Sequence, residues 1–225
     1  MSGILYGVGV GPGDSELMTL KAVRLIGEAD VIAVPGKDPA ATAAYQIAAG
    51  AVPEIAMKEL VGIFMPMVHD AKEREQYHRQ GAEILEALLD EGKTIAFLTL
   101  GDVTVYSTFS YIQRIVEADG YLCRLVSGVP SFCAAAAELG ISLGLGKEPI
   151  HIYPEVQTLT EELSKEGTVV LMKSGSRLRE VRESLQKSGR DAVMVENCGM
   201  SGEKIYRHAD EIPDTAGYFS IILSR

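Results

Sequence analysis

Residues 4–14 read ILYGVGVGPGD, a short run of strand-forming residues that ends in a cluster of glycines and a proline. A buried strand followed by a Gly-rich turn and then by helical periodicity predicts a strand, a loop and a helix in succession. Asp14 or Ser15 is the expected N-cap of that helix. Its apolar face follows a 3.6-residue period and contains Met18, Ala22, Leu25, Ile26 and Ala29.

The order of strand, loop and helix repeats along the first part of the chain. Strands are predicted at 31–34, 94–99 and 121–126, and helices at 40–49, 71–90, 106–118 and 131–139, whereas 50–64 carries no clear pattern. In the helix 71–90 the expected apolar stripe consists of Tyr77, Gly81, Ile84, Leu85 and Leu88. Because the strands are continuously apolar rather than alternating, they predict a parallel sheet covered by helices on both faces. We therefore expect a doubly wound α/β domain over residues 1–145.

A second domain is expected over residues 146–225, beyond a Gly-rich hinge at 139–149. Its predicted strands lie at 150–153, 168–173, 192–195, 204–207 and 218–223, with only two helices among them. Consecutive strands without an intervening helix imply antiparallel pairing, so this domain should be a mixed α/β sheet. An active site is expected in the trough between the two domains.

Charge and composition exclude several classes of function. With 21 Lys and Arg against 31 Asp and Glu, the formal net charge is −10, which disfavours a phosphate backbone, so no nucleic-acid partner is expected. The three cysteines share no C-x-x-C spacing and the four histidines do not cluster, so neither a disulfide framework nor a metal site is predicted. The four histidines are interpreted as surface or packing residues.

The N-terminus has no basic leader, and no apolar run approaches the ~18 residues that a membrane span needs. These features favour a cytoplasmic protein with no membrane partner.

Three loops follow predicted strands, at 9–14, 100–106 and 127–131. In an open parallel sheet, ligands bind beyond the carboxyl ends of the strands, so these loops are the expected site. Each also has a simpler interpretation: a tight glycine turn, a turn capped by Asp102, and a helix N-cap at Ser131. A nicotinamide dinucleotide fits poorly, because the spacing is not G-x-G-x-x-G and the second strand ends in Val34-Pro35-Gly36, with no acidic residue there.

Taken in order, the motifs GVGPGD (9–14), Gly101-Asp102 and GVPS (128–131) resemble those of the tetrapyrrole methylases. The resemblance covers the whole chain and implies a two-domain enzyme that uses S-adenosylmethionine as methyl donor, releases S-adenosylhomocysteine and forms a homodimer. One departure is Val103, which stands where the family usually has proline after Gly-Asp.

Further stretches narrow the resemblance within the family. Four stretches are most similar to the enzymes that methylate C20 of precorrin-2 or cobalt-factor II in cobalamin biosynthesis. They are FLTLGD (97–102), YSTFSY (106–111), FMPM (64–67) and SFCAAA (131–136). The substrate implied is therefore a tetrapyrrole. Alternatives are a uroporphyrinogen III methyltransferase, an rRNA 2′-O-methyltransferase, which the acidic charge disfavours, and a nicotinamide-dependent oxidoreductase.

The resemblance also implies particular site residues. Asp102 and Tyr106 are the candidate catalytic residues, and Ser107 is a further hydrogen-bond donor. The implied cofactor contacts are Pro12, Leu100, Gly101, Asp102, Val105, Tyr106, Ser131, Phe132, Met172 and Cys198. Because the substrate carries carboxylates and the chain is acidic, local cations must offset the overall field. The candidates are Lys21, Arg24, Lys37, Lys58 and the helix N-terminus at Ser131.

Overall fold

The structure, a computed structural model, describes residues 2–155 and 158–225, and the chain divides into two compact units, Met1–Pro130 and Ser131–Arg225. The first unit contains five strands and four α-helices in alternation. These are β1 (Ile4–Gly9), α1 (Leu20–Glu28), β2 (Val31–Pro35), α2 (Ala43–Ala51), β3 (Glu59–Ile63), α3 (Ala71–Asp90), β4 (Thr94–Thr99), α4 (Phe109–Ala118) and β5 (Leu122–Val126). All strand pairs are parallel, in the order β3-β2-β4-β1-β5.

Both faces of the sheet are buried along its central strands β1, β2 and β4, which confirms the doubly wound prediction. Leu5 and Phe97 point to one face and pack with Leu85 of α3 and Phe109 of α4 in a single apolar cluster. Their neighbour Leu98 points to the opposite face because side chains alternate along a strand, and it is also fully buried. Both α1 and α2 contact β4.

Two details of the first unit differ from the sequence prediction. Asp14 caps only a short 3₁₀ turn, Ser15–Leu17, and α1 begins at Leu20, where the Thr19 hydroxyl accepts a hydrogen bond from the N–H of Ala22 at 3.2 Å. Strand β3 lies in the stretch that showed no clear pattern. It is an edge strand with a partly exposed, glycine-containing sequence, so it carries neither a continuous apolar run nor an alternating one.

Helix α3 has the predicted bounds, but its buried face is rotated toward His78. The buried residues are His78, Gly81, Ala82, Leu85 and Leu89, whereas the predicted Ile84 is 45% exposed. The His78 ring stacks on Tyr111 of α4, with ring centroids 4.6 Å apart. His78 is therefore a packing residue between two helices.

The second unit is a mixed sheet, as predicted. Its elements are α5 (Ser131–Leu139), β6 (Ile150–Tyr153), α6 (Leu159–Leu163), β7 (Thr168–Met172), α7 (Leu178–Ser188), β8 (Ala192–Glu196), β9 (Lys204–Tyr206) and β10 (Ser220–Ser224). The order is β6-β7-β10-β8-β9, with β6 and β7 parallel and the other pairs antiparallel.

The compact units meet at Pro130 rather than at residue 145. The difference is helix α5, which contacts β8 and β10 and is therefore part of the second unit. Sequence alone does not reveal this, because α5 continues the strand-loop-helix order of the first unit. In the described residues no helix is both long and apolar enough to cross a membrane.

Candidate active site

Three loops meet at the carboxyl edge of the first sheet because they follow three neighbouring strands, β4, β1 and β5. Beyond the parallel strands, the loop after β1 and the loop after β4 form a short antiparallel bridge. The Gly11 N–H donates to the Gly101 carbonyl at 3.2 Å, and the Gly101 N–H donates to the Gly11 carbonyl at 2.8 Å. Two of the three predicted site loops are thus joined by their backbones.

The third loop, after β5, contacts the loops after β1 and β4 through glycines whose backbones approach too closely to leave room for a side chain. A Cβ atom on Gly128 would lie 2.2 Å from the Gly101 carbonyl oxygen, and one on Gly9 would lie 2.8 Å from the Gly128 nitrogen. Real Cβ atoms do not approach backbone this closely. Gly101 also has a φ of 68°, which favours glycine. We call Gly9, Gly101 and Gly128 the glycine junction.

The Asp102 side chain is buried at the glycine junction, where the residue is 7% exposed, and its hydrogen bonds stabilise the junction. Its Oδ1 accepts hydrogen bonds from the Thr104 N–H at 2.7 Å and from the Thr104 hydroxyl, and its Oδ2 accepts from the Gly128 N–H at 3.0 Å. The carboxylate therefore caps its own turn, as the simpler interpretation expected, and in addition ties the loop after β4 to the loop after β5.

The hydrogen bonds decide the charge state of Asp102. Burial by itself raises the pKa of this carboxyl, but the hydroxyl and N–H of Thr104, the N–H of Gly128 and the hydroxyl of Ser127 all favour the ionised form. Together they place the pKa below its ordinary value. Asp102 is therefore a carboxylate at neutral pH, held by donors of its own chain.

Tyr106 lies in the same loop with an unusual backbone. Its φ is +50°, in the left-handed region, and its side chain is 51% exposed. Behind it, the hydroxyls of Thr99 and Ser107 lie 3.0 Å apart, and the Ser107 hydroxyl accepts from the Phe109 N–H at 3.2 Å. Ser107 is thus engaged in holding the loop.

Val103, the departure from the family pattern, is buried at 3% exposure and belongs to the apolar cluster that contains Phe109 and Ile112. The side chain anchors the loop to the sheet by packing, where a proline would restrict it by its ring.

The remaining predicted cofactor contacts lie in the second unit. Ser131 and Phe132 begin α5, and Phe132 is buried. Met172 ends β7 and Cys198 lies two residues beyond β8. Strands β7 and β8 both flank β10, so these residues lie at one edge of the second sheet. Burial, with Glu203 and Glu138 acting in the same direction, raises the pKa of the Cys198 thiol to about 11, so the thiol is neutral.

Backbone strain marks the same places in both units. The non-glycine residues with positive φ in the described chain are Tyr106, Lys173 and Asn197, and the last two are direct neighbours of Met172 and Cys198. Such strain is concentrated at functional sites. Sequence reasoning missed Lys173 and Asn197. The only sequence signal for this backbone conformation is that asparagine adopts positive φ more readily than most residues do.

Sequence reasoning also missed the partners of Asp102, although Thr104, two residues later, is typical of a turn in which a side chain bonds its own backbone.

Two of the cations expected near a substrate are engaged elsewhere. Lys58 Nζ donates to the carbonyls of Gly27 and Ala29, each at 2.7 Å, and Arg24 pairs with Glu28 at 2.7 Å.

Comparison with known proteins places this fold and site in a family. The family model of the Tetrapyrrole (Corrin/Porphyrin) Methylases matches residues 4–212, and the chain belongs to that family. The chain is 37% identical over 171 residues to the probable cobalt-precorrin-2 C(20)-methyltransferase of Methanocaldococcus jannaschii, covering 76% of this chain and 72% of the relative. It is 30% identical over 232 residues to the cobalt-precorrin-2 C(20)-methyltransferase of Salmonella typhimurium, covering 99% and 96%.

The fold has solved counterparts. The uroporphyrin-III C-methyl transferase of Thermus thermophilus, solved in complex with S-adenyl homocysteine, superposes with a TM-score of 0.70 at 21% identity, covering 98% of this chain and 97% of that one. The likeness confirms the predicted α/β architecture.

The glycine junction makes a sharp prediction for Gly128→Ala. The added methyl group would lie against the backbone of Gly101 and Gly9, which cannot give way as a flexible side chain would. We expect the free energy of unfolding, measured in urea, to fall by about 3 kcal/mol or more. The control is Gly27→Ala in α1, where the nearest atom is 3.6 Å away and the variant should be neutral or up to about 1 kcal/mol more stable. Equal effects of the two substitutions would contradict the close approach.

Asp102→Asn tests the hydrogen bonds of the carboxylate. An amide presents one acceptor oxygen where the carboxylate presents two, so we expect a loss of about 2 kcal/mol at pH 7. Since the folded pKa lies below the unfolded value, the stabilisation by Asp102 is present above the unfolded pKa and disappears as the pH falls through the folded one. The difference between wild type and variant, measured by urea unfolding, should therefore shrink below about pH 4. A difference that grows toward acid would contradict this assignment.

Proposed function

We propose that this protein transfers one methyl group from S-adenosylmethionine to C20 of precorrin-2 or cobalt-factor II, a step of cobalamin biosynthesis. The observation that carries the proposal is the glycine junction with its buried Asp102, in a chain that aligns over 99% of its length with a relative bearing the C20 name. The same methyl donor fits the Thermus thermophilus counterpart, whose complex contains S-adenyl homocysteine.

The chemistry of the loops fits such a cofactor. S-adenosylmethionine is a zwitterion with a sulfonium cation, so it needs close backbone approach and polar main-chain groups rather than a strongly charged pocket. The loops at the glycine junction consist of small residues, and Pro12 and Gly101 are buried there. In our proposal Pro12, Leu100, Gly101, Val105 and Tyr106 hold the cofactor. The other proposed cofactor contacts are Ser131, Phe132, Met172 and Cys198.

The bound cofactor supplies an already activated methyl group, because a sulfonium is a good leaving group. The electron-rich C20 carbon of the tetrapyrrole would be the nucleophile. As its bond to the methyl carbon forms, the methyl–sulfur bond would break and release S-adenosylhomocysteine, and the C20 proton would then leave to solvent. What the protein contributes is orientation, which converts a bimolecular encounter into an in-line arrangement and supplies several kcal/mol.

Asp102 acts in this account as a positioning residue. Its oxygens already accept hydrogen bonds from Thr104 and Gly128, so it fixes the loops on which the ligand rests. Tyr106, half exposed at the end of that loop, is the better placed of the two candidates to contact substrate or cofactor. Its phenol is a hydrogen-bond donor in the expected site.

The rival functions are weaker for specific reasons. A nicotinamide enzyme needs an acid after β2 to hold the ribose, and there the chain has Pro35, Gly36 and Lys37 before Asp38. An rRNA methyltransferase needs a basic surface, and this chain has a net charge of −10. A uroporphyrinogen III methyltransferase is the second candidate function, because the uroporphyrin-III C-methyl transferase of Thermus thermophilus has the same fold.

The direct test is incubation with S-adenosylmethionine and either precorrin-2 or its cobalt-bearing oxidised counterpart, with product mass and methyl position as readouts. We expect one added methyl group, at C20. Uroporphyrinogen III serves as the control substrate and should not be methylated. Methylation of uroporphyrinogen III, or of none of the three, would contradict the proposed substrate. Calorimetry should show binding of S-adenosylhomocysteine and none of NAD.

We also propose that the enzyme is a cytoplasmic homodimer. All three cysteines are free thiols, which suits a reducing compartment. Strand β5 is the edge of the first sheet and exposes Leu122 by 48% and Leu125 by 39%, an apolar edge that a second copy would cover.

Light scattering should therefore give twice the 24.2 kDa of one chain. Leu122→Lys should lower the dimer fraction, because it places a charge on the apolar edge. Leu145→Lys, at a residue exposed by 59% in the second unit, should leave the dimer intact. A monomeric wild type, or equal effects of the two variants, would contradict the proposed interface.

A further inference from the structure

The loops at the carboxyl edge of the first sheet are nearly devoid of positive charge. The loops that follow its five strands span residues 10–19, 36–42, 64–70, 100–108 and 127–130, and in them Lys37 is the single Lys or Arg. Acidic residues in the same loops are Asp14, Glu16, Asp38, Asp70 and Asp102. An anionic ligand at this edge therefore depends on Lys37 more than on any other loop residue.

Lys37 is held by an aromatic ring. Its Nζ lies 4.1 Å from the centroid of the Phe64 ring, within the range of a cation–π contact. The Phe64 ring in turn packs edge-on against Tyr77, with centroids 5.2 Å apart and planes at 86°. Phe64 is still 37% exposed, and Lys37 is exposed as well. The pair is ordered by its own contacts and is open to solvent.

The backbone on both sides of the pair is fixed. The N–H of Gly36 donates to the carbonyl of Ile63 at 2.9 Å, directly before Phe64. A Cβ on Gly62 would lie 2.5 Å from the Gly36 carbonyl oxygen, so the strands approach as closely here as glycine allows. Gly36 has a φ of 140°, which no other residue adopts readily. The loops after β2 and β3 are thus held in one register, with Lys37 beside Phe64.

The charge of Lys37 is not neutralised by the protein. In the described residues no carboxylate lies within 4.0 Å of its Nζ, whereas Arg24 and Lys93 are engaged in such pairs. Met67, three residues after Phe64 in the same loop, is 93% exposed. A cation on an aromatic ring, with an exposed thioether in the same loop as that ring, suits a flat apolar ligand with an acidic edge.

We propose that Lys37 pairs with a carboxylate at the edge of the tetrapyrrole, while Phe64 and Met67 contact the apolar surface beside that carboxylate. The inference rests on the proposed function for the class of ligand, and it adds the residues that recognise it. Lys37 is here a specificity-determining residue, since it binds the periphery of the substrate and takes no part in methyl transfer.

The test compares Lys37→Gln with Lys72→Gln, an exposed lysine in the first turn of α3 at the same edge of the sheet. We expect Lys37→Gln to raise KM for precorrin-2 or its cobalt-bearing counterpart roughly fivefold, as the loss of one partly exposed charge pair does. The kcat and the affinity for S-adenosylhomocysteine should not change. Lys37→Arg should restore most of the KM, and Lys72→Gln should leave it near the wild-type value.

A binding readout separates this inference from the proposed reaction. Uroporphyrin III is a fluorescent carboxylated porphyrin, and its affinity for the wild type should fall as salt is added, less steeply for Lys37→Gln. If no substrate is methylated but this difference is present, the reaction is wrong and the role of Lys37 stands. Equal KM and equal porphyrin affinity in Lys37→Gln and wild type, or equal losses in Lys37→Gln and Lys72→Gln, would overturn the inference.

Discussion

The site depends on the contact of three glycine backbones at the carboxyl edge of one parallel sheet. Gly9, Gly101 and Gly128 follow or end three neighbouring strands, and a Cβ on Gly9 or on Gly128 would meet the main chain of Gly101. The Gly11–Gly101 bridge and the Asp102–Gly128 hydrogen bond hold this contact. Because the junction has no side chains, its surface consists of main-chain groups, and the loops there contain few reactive side chains.

Electrostatics follows from the same arrangement. The carboxylate of Asp102 is buried and is stabilised by donors of its own chain, so the one acid inside the junction serves the protein rather than an incoming ligand. The net charge of −10 is therefore a property of the whole surface, while Lys37 on the Phe64 ring supplies positive charge where the loops otherwise lack it. In the proposed function, this edge of an acidic protein would bind both a cationic methyl donor and a carboxylated acceptor.

Much of this was accessible from the sequence because it is local. Continuous apolar strands and helical periodicity correctly predicted the parallel sheet, the bounds of α3 and the loops at the carboxyl edge of that sheet. What could not be predicted is non-local: the membership of α5 in the second unit depends on its contacts with β8 and β10, and the bond from Gly128 to Asp102 spans 26 residues. Strand β3 was not predicted because an exposed edge strand needs no apolar pattern. Two of the four expected cations have partners within the protein: Arg24 pairs with Glu28, and Lys58 donates to backbone carbonyls.

The central claim is that the three loops at the glycine junction form one ligand surface. Amide hydrogen exchange followed with and without saturating S-adenosylhomocysteine tests it most directly, because it reports each loop separately. The account predicts slower exchange in all three segments, 10–14, 100–106 and 127–131, and unchanged exchange at 53–58 on the opposite edge of the sheet. Protection in only one of the three segments at saturation, or protection confined to residues outside them, would contradict it.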